Sequence, residues 1–415
     1  MSFEGVSINK LNGGLARTDD NADRGIVILC GAGATDALVH KQVYELVDIQ
    51  NAEAYGITAA SDANNDEQLH YHLSEMFRLA PDAVFHLIPI EKTTTVADLV
   101  GDVELLSAIR SVKGVNVIGI AGINSKSVDV INTDILALQG MVNELAKEHI
   151  LIDGVFLEGK PKANDRNVFN FANDLYDLRT LDAPNVSVVV GQDPKQVALN
   201  AAYAGSTAVG TVLGSVAVRK VHEDLGSVDI EQKPSRRKGE ESYSLTDTVQ
   251  GRWLSATLSD GTPFEHLTGG QQKQLSRKGY IYVGSFAEYT GFYLSGCPTA
   301  VVKTSDYAYF NMNCIWNKAA RIIRRTLIPK VRSNVPTEPS TGYIKSTWIA
   351  SMEGLCLSKL EPMVSVGNAD GIDVYINPKQ VLSEDSPLQV KALVVVGQIV
   401  HEFSVDLGLT TKIQD

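Results

Sequence analysis

The sequence predicts an α/β chain that turns α+β toward its end. It has an N-terminal extended arm, a mainly parallel three-layer α/β domain, and a C-terminal α+β domain that ends in an extended strand. Three observations carry this. From Gly25 to about Val221, short continuous apolar runs alternate with helical patterns, as parallel strands buried on both faces require. Beyond residue 250, strands and helices follow one another without that rhythm. Near the C-terminus Phe403, Val405, Leu407 and Leu409 alternate with polar or small residues, the period of a strand.

Taken in order, residues 1–22 form an arm and a linker. "FEGVSINKLNG" offers Phe3, Val6 and Ile8 as its apolar points, and "ARTDDNADR" is polar and turn-rich. The α/β domain, 23–221, supplies the strand-like runs "GIVILC", "AVFHLIPI", "VNVIGIAGI", "GVFLEG" and "VSVVVGQ". Between them lie the helical patterns "DEQLHYHLSEMFRLA", "VADLVGDVELLSAIRSV" and "DILALQGMVNELAKEHI". The first strand feeds the glycine-rich turn "GAGATDA", and "LVHKQVYELVD" follows at helical spacing. Val197 to Val218, rich in Ala, Gly, Ser and Thr, reads as a packed interior helix rather than a membrane span. Residues 222–250, charged and broken by Pro234, read as an exposed crossing. The C-terminal domain, 251–400, carries two helices at about 312–330 and 344–360, and 401–415 is a strand arm.

A net charge of −12 and a pI near 5.2 argue against a general nucleic-acid binder or an anionic-membrane binder. No membrane anchor and no secretion signal are expected. Cys30, Cys297, Cys314 and Cys356 lie far apart without a C-x-x-C pair, which suits buried thiols in a reducing compartment.

Chemistry finds little support. The turn Gly31-Ala-Gly33-Ala-Thr-Asp36 has an aspartate where the dinucleotide fingerprint needs its third glycine, and no Gly-Lys-Ser/Thr follows. A structural turn is therefore expected there, with Asp36 as a helix cap. No nucleophile elbow exists. His70 and His72, two apart on a helix, point to different faces, so a shared metal is not expected. Neither a catalytic group nor a cofactor is expected.

One segment stands out in so acidic a chain. Asn313 to Ser333 carries Lys318, Arg321, Arg324, Arg325, Lys330 and Arg332 and no carboxylate. At 100° per residue, Trp316, Ala320, Ile323 and Leu327 form a stripe expected to be buried. Lys318, Arg321, Arg324 and Arg325 lie beside it, either as a solvated basic face or as a docking surface for something acidic.

The surroundings of this helix resemble one family. "LSRKGYIYVGSF", "GFYLSGCPTAV", "SDYAYFNMNCIWNKAARIIRRTLIPKV", "YIKSTWIASMEGLCLSKL" and "DVYINPKQ", followed by a terminal strand run, are similar in order to contractile tail sheath proteins of bacteriophages and related injection machines. "AVGTVLGSVAVRKVHEDLG" is similar to sheaths of phages and phage-like particles of Bacteroides-type bacteria. One departure is the turn Ser295-Gly296-Cys297-Pro298-Thr299, where the family usually has Trp-Gly-Ala-Arg-Thr.

The resemblance implies a mechanical subunit without turnover or cofactor. It would form stacked hexameric rings around an inner tube, meet baseplate and tail-terminator proteins, and belong to a virion tail or phage-like particle assembled in the bacterial cytoplasm. Lys318, Arg321, Arg324 and Arg325 would hold the tube. Phe3, Val6, Ile8, Phe403, Val405, Leu407 and Leu409 would pair with neighbouring subunits. The rival reading is a nucleotide- or cofactor-binding α/β enzyme using the Gly31–Asp36 loop.

Overall fold

A computed structural model of the chain describes residues 24–162, 171–383, 386–405 and 407–409. The apolar runs form a seven-stranded sheet, ordered Tyr280–Ile281, Val186–Val189, Gly154–Glu158, Val117–Ala121, Ile26–Gly31, Phe85–Ile90 and Tyr44–Leu46. Six strands are parallel, and only Tyr44–Leu46 runs antiparallel, at one edge. The central strands read as unbroken apolar runs because they are buried along their whole length.

The interior helix is Val209–Val218. It packs on the Leu69–Leu79 helix and on the central strands Ile26–Gly31, Val117–Ala121 and Gly154–Glu158. Two glycines set how closely the helices approach. A Cβ on Gly210 would sit 2.5 Å from the His72 carbonyl oxygen, and one on Gly214 would sit 2.9 Å from Met76 Cα. Backbone therefore meets backbone where any larger residue would force the pair apart.

The expected helix after the glycine turn is not there. Residues 38–43 are loop, and Tyr44–Leu46 is the edge strand, alternately buried and exposed. The run contains Val43, Tyr44 and Val47, residue types that suit a pleated surface, and pairing with Phe85–Leu87 decides the outcome.

The 222–250 segment also differs from expectation. It lacks strands and has one short 3-10 turn, Ser235–Arg237, yet it does not stand out in solvent. Ile230, Tyr243 and Leu245 are buried in the main core, the Tyr243 hydroxyl donates to the Leu79 carbonyl, and Arg237 lies over the Tyr243 ring. Asp224 is buried as well, and Leu225 joins these three side chains in the core.

Past residue 250 the chain first completes the large sheet. Thr268 and Gln271 form a reciprocal cap on the Gly269–Lys278 helix, and Gly279 ends it at φ +86°. This turn delivers Tyr280–Ile281 to the sheet edge beside Val186–Val189. The main core accordingly continues to Phe310 and Cys314. Separate, smaller clusters begin at Ile315 and join the Phe310–Leu327 and Ser346–Ser365 helices to an antiparallel hairpin, Gly371–Ile376 with Val390–Val395. The two cores part within one helix.

Candidate functional site

The enzyme alternative rests on the glycine turn. Gly31 ends its strand against Gly122, and a Cβ there would overlap the Gly122 carbonyl, so close backbone approach requires the glycine. Gly33 donates its N–H to Glu67 Oε2 at 2.8 Å. Glu158 accepts from Gly122 N at 3.0 Å and from Thr207 N at 2.9 Å. These amides lie at the C-terminal ends of the parallel strands, where open α/β sheets bind ligands, beside a cavity of about 330 Å³. The chain's own carboxylates thus occupy the donors that a phosphate would use. No helix starts at Asp36, so neither the expected cap nor a helix-terminal anion site forms.

His70 and His72 separate as expected from their spacing. His70 faces Glu53 near the surface, whereas His72 is buried, with Nδ1 accepting from Gly210 N at 3.2 Å. Burial lowers its pKa to about 4. All four cysteines are free and buried. Among the described residues, no group of three or more His, Cys, Asp or Glu side chains could hold a metal, and no helix is long and apolar enough to cross a membrane.

The basic helix, Phe310–Leu327, does not present its four cations on one face. Arg321 turns inward, donating to Asp153 Oδ1 at 3.3 Å and to the Leu151 carbonyl at 3.2 Å. Asp153 is fully buried, also accepts from Asn317 Nδ2 at 2.9 Å, and lies 3.9 Å from Arg24. Burial pushes its carboxyl pKa up, and Arg321 and Arg24 pull it back only partly. Lys318 is half-buried and donates to Asn368 Oδ1 at 2.8 Å. Arg324 and Arg325 are exposed, and the basic character continues through exposed Lys330 and Arg332.

The expected apolar stripe is corrected too. Trp316 is 51% exposed, with its ring edge-on to Tyr307. The residues that meet the smaller core are Ile315 and Ala319, with Ile322, Ile323 and Leu327 packed against them. The helix has two buried sides, so no single stripe describes it. Asp153 and Arg24, which fix its position, were invisible as site residues in the sequence. Each is an ordinary charged residue whose partner lies far away along the chain.

The turn at Ser295–Thr299 is braced from elsewhere. Arg179 Nη1 donates to the carbonyls of Thr299, Val301 and Ala308 at 3.0–3.2 Å.

At the C-terminal end, the hairpin's two strands pair only with each other among the described residues. Val390, Ala392 and Val394 turn toward the small core, and Leu393 and Val395 are exposed. Beyond them residues 396–405 have no ladder pairing among the described residues, and Phe403, Val405, Leu407 and Leu409 are all at least 78% exposed. The N-terminal residues Phe3, Val6 and Ile8 lie outside the described residues.

The fold is similar to those of chains in contractile injection systems. It matches a chain of the anti-feeding prophage baseplate at TM-score 0.60 and 12% identity, over 99% of this chain and 100% of that one. A chain of the contracted sheath complex of an extracellular contractile injection system, PVC, matches at TM-score 0.59 and 13% identity, over 99% and 98%. A chain of the contracted anti-feeding prophage helical sheath matches at 0.57 and 14%, over 99% and 100%. No curated protein matches the sequence. The chain belongs to the DUF2586 family, whose N-terminal domain spans residues 3–297 and whose C-terminal domain spans 306–414. The two family domains meet just before the helix in which the two cores part.

Proposed function

We propose that this protein is the structural subunit of a contractile sheath. It polymerises as stacked hexameric rings around an inner tube and contracts to drive that tube through a target envelope. The observation that carries this is the strong exposure of Phe403, Val405, Leu407 and Leu409, which pair with no strand among the described residues, on a fold similar over almost the whole chain to those of chains from contracted sheaths. A strand with no ladder of its own can add to a neighbour's sheet, and the open-edged hairpin Gly371–Ile376 and Val390–Val395 offers such a sheet. Main-chain pairing of this kind survives large rotations of the bodies it links, as a contracting assembly requires.

The particle is a virion tail or phage-like device assembled in the bacterial cytoplasm. Its partners are other copies of this chain, the tube, and baseplate and terminator proteins. The three-layer α/β body, 23–221, serves as scaffold, and the arms at 1–22 and 401–415 link subunits through Phe3, Val6 and Ile8 and through the C-terminal run. Negative-stain electron microscopy tests the reading. The full chain should form tubes. A chain ending at Val400 should stay folded by circular dichroism yet elute without polymer, and undiminished tubes from it would sink the arm assignment.

The tube is held by the basic end of the Phe310–Leu327 helix, through Lys318, Arg324 and Arg325. Arg321 was expected in this set, but its inward ion pair gives it a structural task first. Exposed ion pairs contribute roughly 0–1 kcal/mol each, weak enough to release singly and firm when summed over many subunits. Reversing Arg324 and Arg325 to Glu should spare sheath polymerisation but yield empty, contracted polymers on co-expression with the tube protein. Tube-filled extended sheaths from that variant would return these residues to a solvated face.

A further inference from the structure

We infer that an aromatic cavity on the α/β body is a latch for the root of the C-terminal arm, holding Ile399–Phe403 on its own subunit until a neighbour takes the arm. The cavity lies between the 224–228 loop and the 282–295 strands and encloses about 540 Å³. Phe264, Tyr282, Phe286 and Tyr293 line it, and Ile399–Phe403 form its remaining side. The Phe264 and Tyr282 rings stack at 6.3 Å, and Phe286 meets Tyr293 at 5.8 Å. Phe264, Tyr282 and Tyr293 are buried, whereas Phe286 is 55% exposed.

The path of the chain explains why its own arm is the occupant. Val395 ends the small-core hairpin, where its carbonyl accepts from Asp370 N at 2.8 Å. Ile399 already lines the cavity, whose Phe264, Tyr282 and Leu294 belong to the main core. Four residues span at most ~14 Å, so the segment crosses directly from one core to the other. His401 then lies against Tyr309, with ring centres 5.6 Å apart, at the residue that precedes the Phe310–Leu327 helix. The Arg179 guanidinium, which braces the Ser295–Thr299 turn, lies 5.5 Å from the centre of the same Tyr309 ring. Asp224 lines the cavity as well and is buried. Burial raises its carboxyl pKa, and the Gly226 amide, Arg219 and His401 pull it back down.

Side chains make this contact, and they make it lightly. Among the described residues the backbone of 396–405 joins no ladder and no turn, and Val400 and Phe403 stay at least 63% exposed. The N–H and C=O groups that strand addition uses therefore remain available while the arm is docked. Docking is a property of one unassembled chain. Its consequence for assembly rests on the sheath reading, because Phe403 belongs both to the docked root and to the run proposed to pair with a neighbour. If about nine in ten free chains are docked, only one in ten offers its arm, and the threshold for polymerisation stands about tenfold above that of an undocked chain.

Spin-label distances test the docking in the full-length protein, whose native thiols are all buried. Nitroxides are placed on Ser404→Cys, just past the root, and on Glu265→Cys, an exposed neighbour of Phe264. Labelled chains are diluted into an excess of unlabelled chain below the polymerisation threshold, so that only pairs within one chain are read. The distance distribution should be narrow. His401→Ala, from the arm side, and Phe286→Ser, from the cavity side, should each broaden it. A broad distribution in the unsubstituted protein would overturn the inference, as would a narrow one that survives both changes. Without the labels, the same two substitutions should lower the concentration at which tubes appear by electron microscopy, toward the tenfold limit. Broadened distances with an unchanged threshold would refute the competition between docking and pairing. If no variant and no unsubstituted protein forms tubes, the sheath reading fails, and the distances still decide whether the arm is latched.

Discussion

Replacing Asp153 with Ala should loosen the joint between the two cores. The carboxylate is fully buried and faces Arg321 at 3.3 Å and Arg24 at 3.9 Å, while Asn317 donates to it from the same helix as Arg321. Removing one member of a buried ion pair costs about 3–5 kcal/mol, because the remaining charge keeps its desolvation penalty. Two facts place this site at the low end. The Arg321 side chain is 28% exposed, so water can partly resolvate it. Arg24 is nearly buried but keeps Cys314 Sγ, the Lys220 carbonyl and the Phe310 ring. We expect a loss of about 3 kcal/mol, measured by urea unfolding of the unassembled chain with tryptophan fluorescence. Trp316 is on the joint helix, Trp253 is buried in the main core and Trp348 packs against a small cluster beyond the joint, so the three tryptophans report different regions. The double variant Asp153→Ala/Arg321→Met should cost at least ~1 kcal/mol less than the sum of the single changes. A single-variant loss below about 1 kcal/mol, or strict additivity, would refute the view that this carboxylate couples the cores.

Gly210→Ala should destabilise the α/β body by about 1–3 kcal/mol, seen as a lower Tm, because the new methyl would meet the His72 backbone at 2.5–2.8 Å. A neutral result would show that the helix pair can slide apart without cost. His72 gives a pH signature. Its folded pKa of about 4 lies below the ordinary imidazole value, so between about pH 6.5 and 4 the unfolded chain binds the extra proton and stability falls as pH falls. The slope from this group is about 1.4 kcal/mol per pH unit, and His72→Gln, which keeps an acceptor for Gly210 N, should remove it from denaturation curves taken across that window. Identical pH profiles for the two proteins would show that His72 is not held neutral.

The parallel sheet was legible because each buried strand is an unbroken apolar run between helical patterns, a signal that survives without knowledge of neighbours. Ile26–Gly31, Phe85–Ile90, Val117–Ala121, Gly154–Glu158 and Val186–Val189 all fall where the runs place them, within a residue for the first. The misreadings share a cause. Residues 38–47 carry apolar points at helical spacing, but their structure is decided by pairing with Phe85–Leu87, about forty residues later. Residues 222–250 look exposed by composition, and Leu225, Ile230, Tyr243 and Leu245 anchor them all the same. The Tyr280–Ile281 strand sits inside the sequence interval assigned to the C-terminal domain but completes the large sheet, since a two-residue strand carries too little pattern to reveal its partner.

The basic helix shows where sequence reading of a site runs out. Its charge was plain, but charge alone does not say which way each cation faces. A helix packed on one side would have sorted its residues into a buried stripe and a solvated arc. This helix packs on two sides, with Phe310 and Cys314 in one core and Ile315 and Ala319 in the other. Its polar arc is therefore narrowed, and the cations divide. Arg321 meets Asp153, Lys318 and Arg325 line a groove, and Arg324 faces solvent. The division changes how the helix must be probed. Reversing Arg321 would set a second carboxylate against buried Asp153 and damage the joint, so lost assembly in that variant would say nothing about the tube. Reversing Arg324 and Arg325 leaves Asp153 and its partners in place, so only that change separates a failure to grip from a failure to fold.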